Sequence, residues 1–169
     1  MEDLQFIKVE QNNTELIEEL SVFASAVVKD YYDPIIGAAQ NDYMIKKFQS
    51  AESLKEQIAG GYSYYFVCTE NEKRVGFIAF YPRNNEMYLS KLYIKKEERG
   101  KGYSKGILKF LKKETAKAGL DSITLNVNRN NTDSINIYGK LGFSKIREEK
   151  NDIGNGFYMD DFVFSISVS

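Results

Sequence analysis

The sequence has no histidine and a single cysteine, Cys68. Without histidine the chain cannot build Ser–His or Cys–His nucleophile pairs, and a zinc site of the usual kind is not expected. We therefore expect no metal, and any general base has to be a carboxylate, a tyrosine, a lysine or a water molecule. One cysteine cannot form an intramolecular disulfide, which fits the cytoplasmic localisation that we expect.

Several other features are scarce. The sequence contains no run of about 18 apolar residues, the length needed to span a bilayer. The start, MEDLQFIKVEQNN, lacks the basic and apolar regions of a signal peptide. We therefore expect no membrane partner. The net charge is −1, which argues against a protein that mainly coats nucleic acid. Only two prolines and no low-complexity tract occur, and we predict a single domain over residues 1–169.

The composition that remains is globular, with 43% apolar and 28% charged residues. Its periodicity predicts a mixed α/β fold in the order βααβββαβαββ, with a mostly antiparallel central sheet of about seven strands flanked by about four helices. The first helix should end before Pro34, which disfavours helical backbone at Asp33. The predicted strands are 4–9, 62–70, 74–83, 87–95, 122–127, 143–150 and 157–168. The predicted helical regions are about 15–28, 39–48, 50–59, 103–118 and 132–141.

The stretch GKGYSKGILKFL, residues 100–111, joins a predicted strand to a predicted helix and contains three glycines. The first N–H groups of a helix lack internal partners, so a turn with few side chains lets a phosphate approach them. The P-loop pattern fails at Gly102, and the dinucleotide pattern fails because Gly106 comes one place late. A turn that merely lets a helix and a strand pack closely is the alternative.

The segment LYIKKEERGKGYSKGILKFL, 92–111, resembles the acyl-CoA site of the GCN5-related N-acetyltransferases (GNAT). Arg99, Gly102 and Ser104 occupy the three motif positions of that family, although Ser104 stands where the family has Gly or Ala. The resemblance covers essentially the whole chain and implies a GNAT fold.

A second segment, NVNRNNTDSINIYGKLGF at 126–143, is similar to the family's Asn…Tyr…Leu-Gly-Phe segment. Asn131, Tyr138 and the sequence 141–143 are in register with it. By this resemblance Asn131 would bind the pantetheine region of acetyl-CoA, and Tyr138 would lie near its sulfur.

The resemblance also implies how the rest of acetyl-CoA would be held. The strand before the glycine turn would splay from strand 122–127. The main chain of Leu92, Tyr93 and Ile94 would pair with the pantetheine arm as an extra strand would. Amides of the turn would hold the pyrophosphate, namely those of Arg99, Gly100, Lys101, Gly102, Tyr103, Ser104 and Lys105.

The residue types suit the attack of a neutral amine on a thioester. A main-chain N–H near 92–94 can stabilise the oxyanion, and Tyr138 can protonate the thiolate or donate a hydrogen bond to it. A core aromatic is the alternative interpretation of Tyr138. Many relatives use a carboxylate on the strand around 86–92, or a chain of water molecules, as the base. Here that strand offers Glu86 near its start, with Ser90 and Lys91 further on. Glu86 is read more readily as a turn residue, so no base is assigned.

The family's acceptor side is lined by the region of the first two helices, here DYYDPIIGAAQNDY at 30–43. Tyr31, Tyr32 and Asp33 are therefore candidate substrate contacts, and the acids of this segment would suit a cationic amine such as a polyamine or a lysine side chain. A solvated loop with packed tyrosines is the alternative. Asp160 and Asp161 allow the same two interpretations.

We therefore predict an N-acetyltransferase that moves an acetyl group from acetyl-CoA to a primary amine of a small molecule or peptide, by direct transfer in a ternary complex. Sheet edges near the C-terminus would allow a homodimer. A non-catalytic acyl-CoA-binding sensor is one alternative. A nucleic-acid-binding module is another, and it would use the lysine stripe at 101, 105, 109, 113 and 117, which the near-neutral charge disfavours.

Overall fold

The computed structural model describes residues 3–168 and contains seven strands and five α-helices within them. The strands are β1 (Gln5–Lys8), β2 (Ser63–Cys68), β3 (Arg74–Arg83), β4 (Glu86–Ile94), β5 (Ser122–Asn128), β6 (Ser144–Gly154) and β7 (Phe157–Ser167). The helices are α1 (Thr14–Ile36), α2 (Ala38–Gln49), α3 (Ala51–Ala59), α4 (Tyr103–Lys117) and α5 (Thr132–Leu141). The predicted α/β class is confirmed, with five helices instead of about four.

The seven strands form one sheet in the order β1-β2-β3-β4-β5-β7-β6. β4 and β5 are parallel, as expected for strands joined through the crossover helix α4. The pairs β1–β2, β2–β3, β5–β7 and β6–β7 are antiparallel. Parallel pairs join Met87–Leu89 to Ile123–Leu125, and β4 then continues to Ile94.

Helix α1 is longer than predicted, because it continues for 23 residues through Pro34. Pro34 has no N–H to donate to the Asp30 carbonyl, but it lies in the last turn, and only Ile35 and Ile36 follow it in the helix. Gly37 N–H still donates to the Asp33 carbonyl at 3.0 Å, and the buried Asn41 amide donates to the Val28 carbonyl at 3.1 Å. Tertiary contacts of this kind outweigh the local preference of proline.

The β6–β7 hairpin also differs from the prediction, because β6 extends to Gly154 and the six-residue turn shrinks to two residues. Asn155 and Gly156 occupy this turn with φ of 56° and 78°. Both values lie in the left-handed region that two-residue hairpin turns require, and Asn-Gly is the sequence pair that favours it. The Asn-Gly pair within NDIGNG therefore indicates the position of the two-residue turn.

The chain divides into two compact units. The first unit comprises the described residues up to Tyr81 together with Lys91–Ile107, and the second comprises Pro82–Ser90 with the described residues from Leu108 onwards. The prediction of one domain over 1–169 stays a prediction. No helix within residues 3–168 is long and apolar enough to cross a membrane.

The core of the first unit is built by α1, α3 and the neighbouring strands. The helices contribute the fully buried side chains of Leu20 and Leu54 to this core. Alternate residues of the strands contribute those of Tyr64, Phe66 and Phe77. Strand β4 enters this core through Tyr93. The packing therefore anchors the strand that leads to the glycine turn.

Candidate active site

The turn between β4 and α4 has the conformation that its glycines suggest. Gly100 and Gly102 have φ of 78° and 81°, in the left-handed region that residues with a side chain rarely adopt. Within residues 3–168, no atom outside the glycine itself and its two chain neighbours lies within 4 Å of the position that a Cβ would take at either residue. The glycines are therefore required by the backbone conformation, and the space that side chains would take at both positions, just before α4 in the sequence, is open.

The third glycine of this stretch has a different role. Gly106 lies inside α4, and a Cβ there would stand 3.0 Å from Cδ1 of Leu4. Its missing side chain lets the helix approach Leu4 closely. Close packing thus explains Gly106, whereas it does not explain Gly100 or Gly102.

Arg99 is held at the start of the turn by two contacts. Its Nε donates to the Ile94 carbonyl at 3.1 Å, and its guanidinium carbon lies 4.2 Å from the ring centroid of Tyr31. The first contact ties the turn to the end of β4, and the second is a cation–π contact with α1. Both contacts orient the guanidinium.

Lys101 is engaged in an ion pair. Its Nζ lies 3.1 Å from Oε1 of Glu98, which is only 4% exposed and also lies 3.2 Å from Nζ of Lys73. The hydrogen bond from Lys101 lowers the pKa of Glu98, and Lys73 adds to this effect. A buried, doubly paired carboxylate therefore stabilises the segment before the turn.

The other predicted residues of the turn differ in exposure. Tyr103 is buried at the first position of α4, Ser104 is half-buried and Lys105 is exposed. A contribution of Tyr103 to anion binding would therefore come from its main-chain N–H, whereas Lys105 has an accessible ammonium group.

The end of β4 lies tightly against β3 in the first unit. A Cβ at Gly76 would stand 2.3 Å from the Tyr93 carbonyl oxygen and 2.8 Å from Cδ1 of Ile94. One residue further, Lys95 N–H donates to the Val75 carbonyl at 2.8 Å. Strand β3 thus fixes one edge of the predicted cofactor strand.

Two residues predicted on the acceptor side pack directly on this strand. The ring centroids of Tyr31 and Tyr32 lie 5.7 Å and 5.9 Å from that of Tyr93, and 5.4 Å from each other. Phe77 completes the cluster at 5.3 Å from Tyr93. The structure therefore brings together predicted substrate residues and a predicted cofactor residue within the first unit.

Asp33 has other partners. Its Oδ1 accepts from Nδ2 of Asn41 at 2.8 Å, and its Oδ2 lies 3.0 Å from Nζ of Lys29. These contacts, the one with Asn41 above all, lower the pKa of Asp33. Lys29 also lies 2.9 Å from Asp42, so the three charged side chains form one surface group.

Strand β4 carries a buried lysine, Lys91, which the sequence analysis named only among the residues that this strand offers as a base. Lys91 is 7% exposed, and its Nζ donates to the Phe48 carbonyl at 2.9 Å, to Oε1 of Gln49 at 2.9 Å and to Oε1 of Gln57 at 3.1 Å. It also contacts the Tyr64 hydroxyl. Burial lowers the pKa of Lys91 to about 7.

A sequence signal for this burial exists in the alternation of β4. Met87 and Leu89 are buried, and Lys91 takes the next position in the same period of two. A lysine at that position is predicted to face the interior. Glu86 is the first residue of β4 and half-buried, so it is a strand residue and not a turn residue.

In the second unit, Asn131 is the N-cap of α5 and Tyr138 lies within this helix. Asn131 is buried and caps the helix, because its Oδ1 accepts from Ser134 N–H at 3.2 Å. The ring of Tyr138 lies 5.5 Å from that of Phe143 in an edge-to-face contact. Gly142, with φ of 105°, ends the helix and explains the glycine of the Leu-Gly-Phe sequence.

The second unit also contains a hydrogen-bonded polar group on β4, β5, β6 and β7. Tyr88 donates its hydroxyl to Oδ1 of Asn126 at 3.0 Å. Nδ2 of Asn126 donates to Oδ2 of Asp161 at 3.2 Å and to Oε1 of Glu149 at 3.4 Å. Asp161 is 3% exposed, and burial raises its pKa. The pKa of Glu149 is lowered, mainly by Arg147.

Asp160, the neighbour of Asp161, has a different environment. Asp160 is half-buried, and its Oδ1 forms an ion pair with Nε of Arg129 at 2.8 Å. The two adjacent acids, which the sequence alone could not separate, thus differ in burial and in partners.

Comparison with known proteins identifies the class of this chain. The family model of the acetyltransferase (GNAT) domain matches residues 32–159. The chain therefore belongs to the GNAT acetyltransferase family, and the resemblance seen in the sequence is confirmed. A search of curated proteins found no match.

Solved structures show the same fold. The PaiA N-acetyltransferase of Thermoplasma acidophilum, solved with coenzyme A, has a TM-score of 0.75 at 22% identity, with 97% of this chain and 98% of that chain covered. A GCN5-related N-acetyltransferase of Rhodopseudomonas palustris has a TM-score of 0.78 at 12% identity, with 99% and 97% covered. The spermidine N-acetyltransferase of Vibrio cholerae, solved with CoA and spermine, has a TM-score of 0.64 at 16% identity, with 98% and 95% covered.

Proposed function

We propose that this protein is an N-acetyltransferase that transfers an acetyl group from acetyl-CoA to a primary amine by direct transfer in a ternary complex. One observation carries the proposal: in a chain of the GNAT family, Gly100 and Gly102 form a left-handed turn directly before α4, with open space at both of their Cβ positions. Such a turn can bind the pyrophosphate of CoA through main-chain N–H groups. The CoA complex of the T. acidophilum neighbour supports it.

The residues present fit acetyl-CoA, which would supply an acyl thioester. Amides of 99–105 would hold its pyrophosphate, with Lys105 as an accessible cation and Lys101 held by Glu98. The main chain of Leu92–Ile94 would bind the pantetheine arm. In support, the pairs of β4 with β5 end at Leu89, three residues before Leu92, and β3 fixes the other edge of β4.

We propose that Tyr138 acts as the acid of the reaction. Its hydroxyl would protonate the leaving thiolate or donate a hydrogen bond to it, and a main-chain N–H near Leu92–Ile94 would stabilise the oxyanion. Asn131 would contact the pantetheine region through its Nδ2, because its Oδ1 is used to cap α5. The edge-to-face contact with Phe143 would hold the Tyr138 ring in place.

For the base, which the sequence left open, we propose Asp161. Burial raises its pKa, which makes it a better proton acceptor for an ammonium group than an ordinary exposed aspartate. Asn126 orients its carboxylate, and the Tyr88 hydroxyl orients Asn126. The ammonium group would give one proton to Asp161, and the neutral amine would attack the thioester carbon. As the C–N bond forms and the C–S bond breaks, Tyr138 would protonate the leaving thiolate, and the second proton lost from the nitrogen would restore the Tyr138 hydroxyl.

A cationic acceptor suits these groups best. Asp161 and Glu149 are joined through Asn126, and ammonium groups are attracted by carboxylates at short range. The V. cholerae neighbour is a spermidine N-acetyltransferase, so a polyamine is the first acceptor to test. Tyr31 and Tyr32 would contribute aromatic faces to the acceptor side, where a cation can bind over a ring.

The test combines binding and turnover. Titration calorimetry with CoA measures the cofactor site, and a panel of amines with acetyl-CoA, followed by mass measurement of the products, measures transfer. Acetylated product from polyamines or other primary amines supports the enzyme. CoA binding without product from any amine would support the acyl-CoA sensor instead, and absence of CoA binding would reject both functions.

A further inference from the structure

We infer that Arg99 is a positioning residue that couples the glycine turn to the acceptor side through its contact with Tyr31, so that CoA and a cationic acceptor bind cooperatively. The inference rests on the proposed function, which places the pyrophosphate at the turn and the acceptor beside Tyr31 and Tyr32. All three residues belong to the first unit.

The side chain of Arg99 has donors available for an anion. It is exposed, and within residues 3–168 its hydrogen bonds involve Nε alone, which donates to the Ile94 carbonyl at 3.1 Å. No carboxylate of the described chain forms an ion pair with it. The N–H bonds of its two terminal nitrogens can therefore donate to phosphate oxygens, a pairing for which the guanidinium geometry is well suited.

Tyr31 contacts the same guanidinium group from one side. Its ring centroid lies 4.2 Å from the guanidinium carbon of Arg99, well within the range of a cation–π contact. N–H bonds that point away from the ring remain for a phosphate. Arg99 can therefore hold an anion at the turn and contact Tyr31 at the same time.

Tyr31 belongs to a cluster of three tyrosine rings. Its centroid lies 5.4 Å from that of Tyr32 and 5.7 Å from that of Tyr93, and the rings of Tyr32 and Tyr93 are 5.9 Å apart. Phe77 of β3 lies 5.3 Å from Tyr93 and holds this ring on the sheet. Arg99 thus adds a cation to a cluster that includes both aromatic residues proposed for the acceptor.

The end of α1 that contains Tyr31 and Tyr32 depends on such side-chain contacts. Pro34 has no N–H to donate to the Asp30 carbonyl, so one helical hydrogen bond of this end is missing. Helix α1 also contacts the segment Lys96–Glu98, which leads into the glycine turn. A ligand that immobilises Arg99 should therefore also immobilise this end of α1.

Cooperative binding follows from the shared side chain. A bound phosphate would hold Arg99 against Tyr31, and a fixed Tyr31 would keep the rings of the acceptor side in place, which lowers the cost of ordering them when an amine binds. By linkage, CoA strengthens acceptor binding by the same factor by which the acceptor strengthens CoA binding. One cation–π contact at an exposed site predicts a factor of about 2 to 5.

Hydrogen exchange of the full chain, read by mass spectrometry on peptides covering 28–37 with and without saturating CoA, tests the coupling. In the wild type CoA should slow exchange of this segment about 2- to 5-fold. Arg99→Lys keeps the charge but has no planar group to place over the ring, so the slowing should be lost at saturation with CoA. Lys47→Met removes another cation that lies over a ring, 5.5 Å from the centroid of Phe48, and is the matched control that should retain the slowing.

Variants of Tyr31 keep the test decisive if Arg99→Lys does not fold. Tyr31→Phe keeps the ring and should retain the slowing, whereas Tyr31→Leu should lose it. The double variant of Arg99→Lys and Tyr31→Leu should lose no more than Tyr31→Leu alone, because both changes remove one contact. Equal slowing in the wild type and in Tyr31→Leu would overturn the inference, and so would CoA binding to the wild type without any slowing.

Titration calorimetry with spermine, in the absence and in the presence of saturating CoA, tests the consequence for the acceptor. The ratio of the Kd without CoA to the Kd with CoA should be about 2- to 5-fold larger in the wild type than in Tyr31→Leu. Direct attraction between spermine and the CoA phosphates is common to both proteins and cancels in this comparison. Equal ratios would overturn the cooperative binding.

The two measurements separate this inference from the proposed function. CoA binding without coupling would reject the inference alone, whereas absence of CoA binding to the wild type would reject the proposed function and the inference together. Absence of spermine binding in both states would reject a polyamine acceptor, and hydrogen exchange would still decide whether Arg99 couples the turn to α1.

Discussion

Gly76 of β3 lies directly against the main-chain carbonyl of Tyr93 on β4, so closely that a Cβ at Gly76 would stand 2.3 Å from that oxygen. Real side chains are not found at such distances from backbone atoms. The close approach sets the position of the Tyr93 main chain, and the ring of Tyr93 contacts the rings of Tyr31 and Tyr32. The proposed cofactor strand is therefore fixed through a residue that has no side chain.

Gly76→Ala should push Tyr93 away from β3. We expect a loss of about 1–3 kcal/mol in the free energy of unfolding, as for other overpacked sites, together with weaker CoA binding. Denaturant unfolding and calorimetry measure the two effects. Gly139→Ala in α5, where no atom lies within 4 Å of the new Cβ, is the control and should be neutral or stabilising. Equal stabilities of the two variants would contradict the packing argument.

Gly102→Val should weaken CoA binding beyond its effect on stability. The left-handed φ of 81° makes any side chain unfavourable by about 1–2 kcal/mol, and the valine methyl groups would fill the space proposed for the pyrophosphate. Gly119→Val at the end of α4 has the same left-handed strain, with φ of 75° and open surroundings. We expect both variants to lose similar stability and only Gly102→Val to lose CoA affinity. Unchanged affinity in Gly102→Val would remove the turn from the cofactor site.

Tyr138→Phe should lower kcat by about 10²-fold, in the range of lost acid–base catalysis, with little change in the Kd for CoA. The ring contact with Phe143 does not need the hydroxyl, so stability should be retained. Steady-state kinetics with calorimetry separates the two parameters. An unaltered kcat would show that Tyr138 is a packing residue of α5, the alternative that the sequence left open.

Asp161→Asn tests the proposed base through the pH dependence of kcat/KM. Burial raises the pKa of Asp161, so in the wild type activity should fall on acidification once the pH drops through this raised value and the carboxylate is protonated. The variant should lose that acidic limb and lose about 10²-fold in kcat. Asp160→Asn, which breaks an ion pair with Arg129 and removes a charge that helps to raise the pKa of Asp161, is the control: its acidic limb should persist and move to lower pH. Retention of the acidic limb in Asp161→Asn would assign the base elsewhere.

Much of the fold could be read from local sequence signals. Asn13 and Ser50 cap α1 and α3 through their side chains, as capping preferences predict. The strand–glycine–helix arrangement at 100–111 was also predictable, because left-handed backbone at Gly100 and Gly102 depends on the residues of the turn itself. The predicted end of α1 was wrong, because the helix continues through Pro34 to Ile36.

Within the candidate site the same division holds. The residues of the glycine turn and of the two motif segments could be identified from the sequence, because each set is contiguous along the chain. The partners of Asp161 and of Lys91 do not, because they come from strands and helices far away in sequence. Asp160 and Asp161 are adjacent in the sequence, and nothing in the local sequence shows that Asp160 is half-buried while Asp161 is fully buried.

The sequence by itself determined the features that depend on interactions between residues close in sequence. These are the helix caps, the glycine turn, and the alternation of buried and exposed residues along each strand. Only the tertiary structure decided that Lys91 is enclosed by neutral oxygen atoms, that Tyr31 and Tyr32 pack on Tyr93, and that α1 continues past its proline. Propensities act over a few neighbouring residues, whereas burial and the resulting pKa shifts depend on groups that become neighbours only when the chain folds.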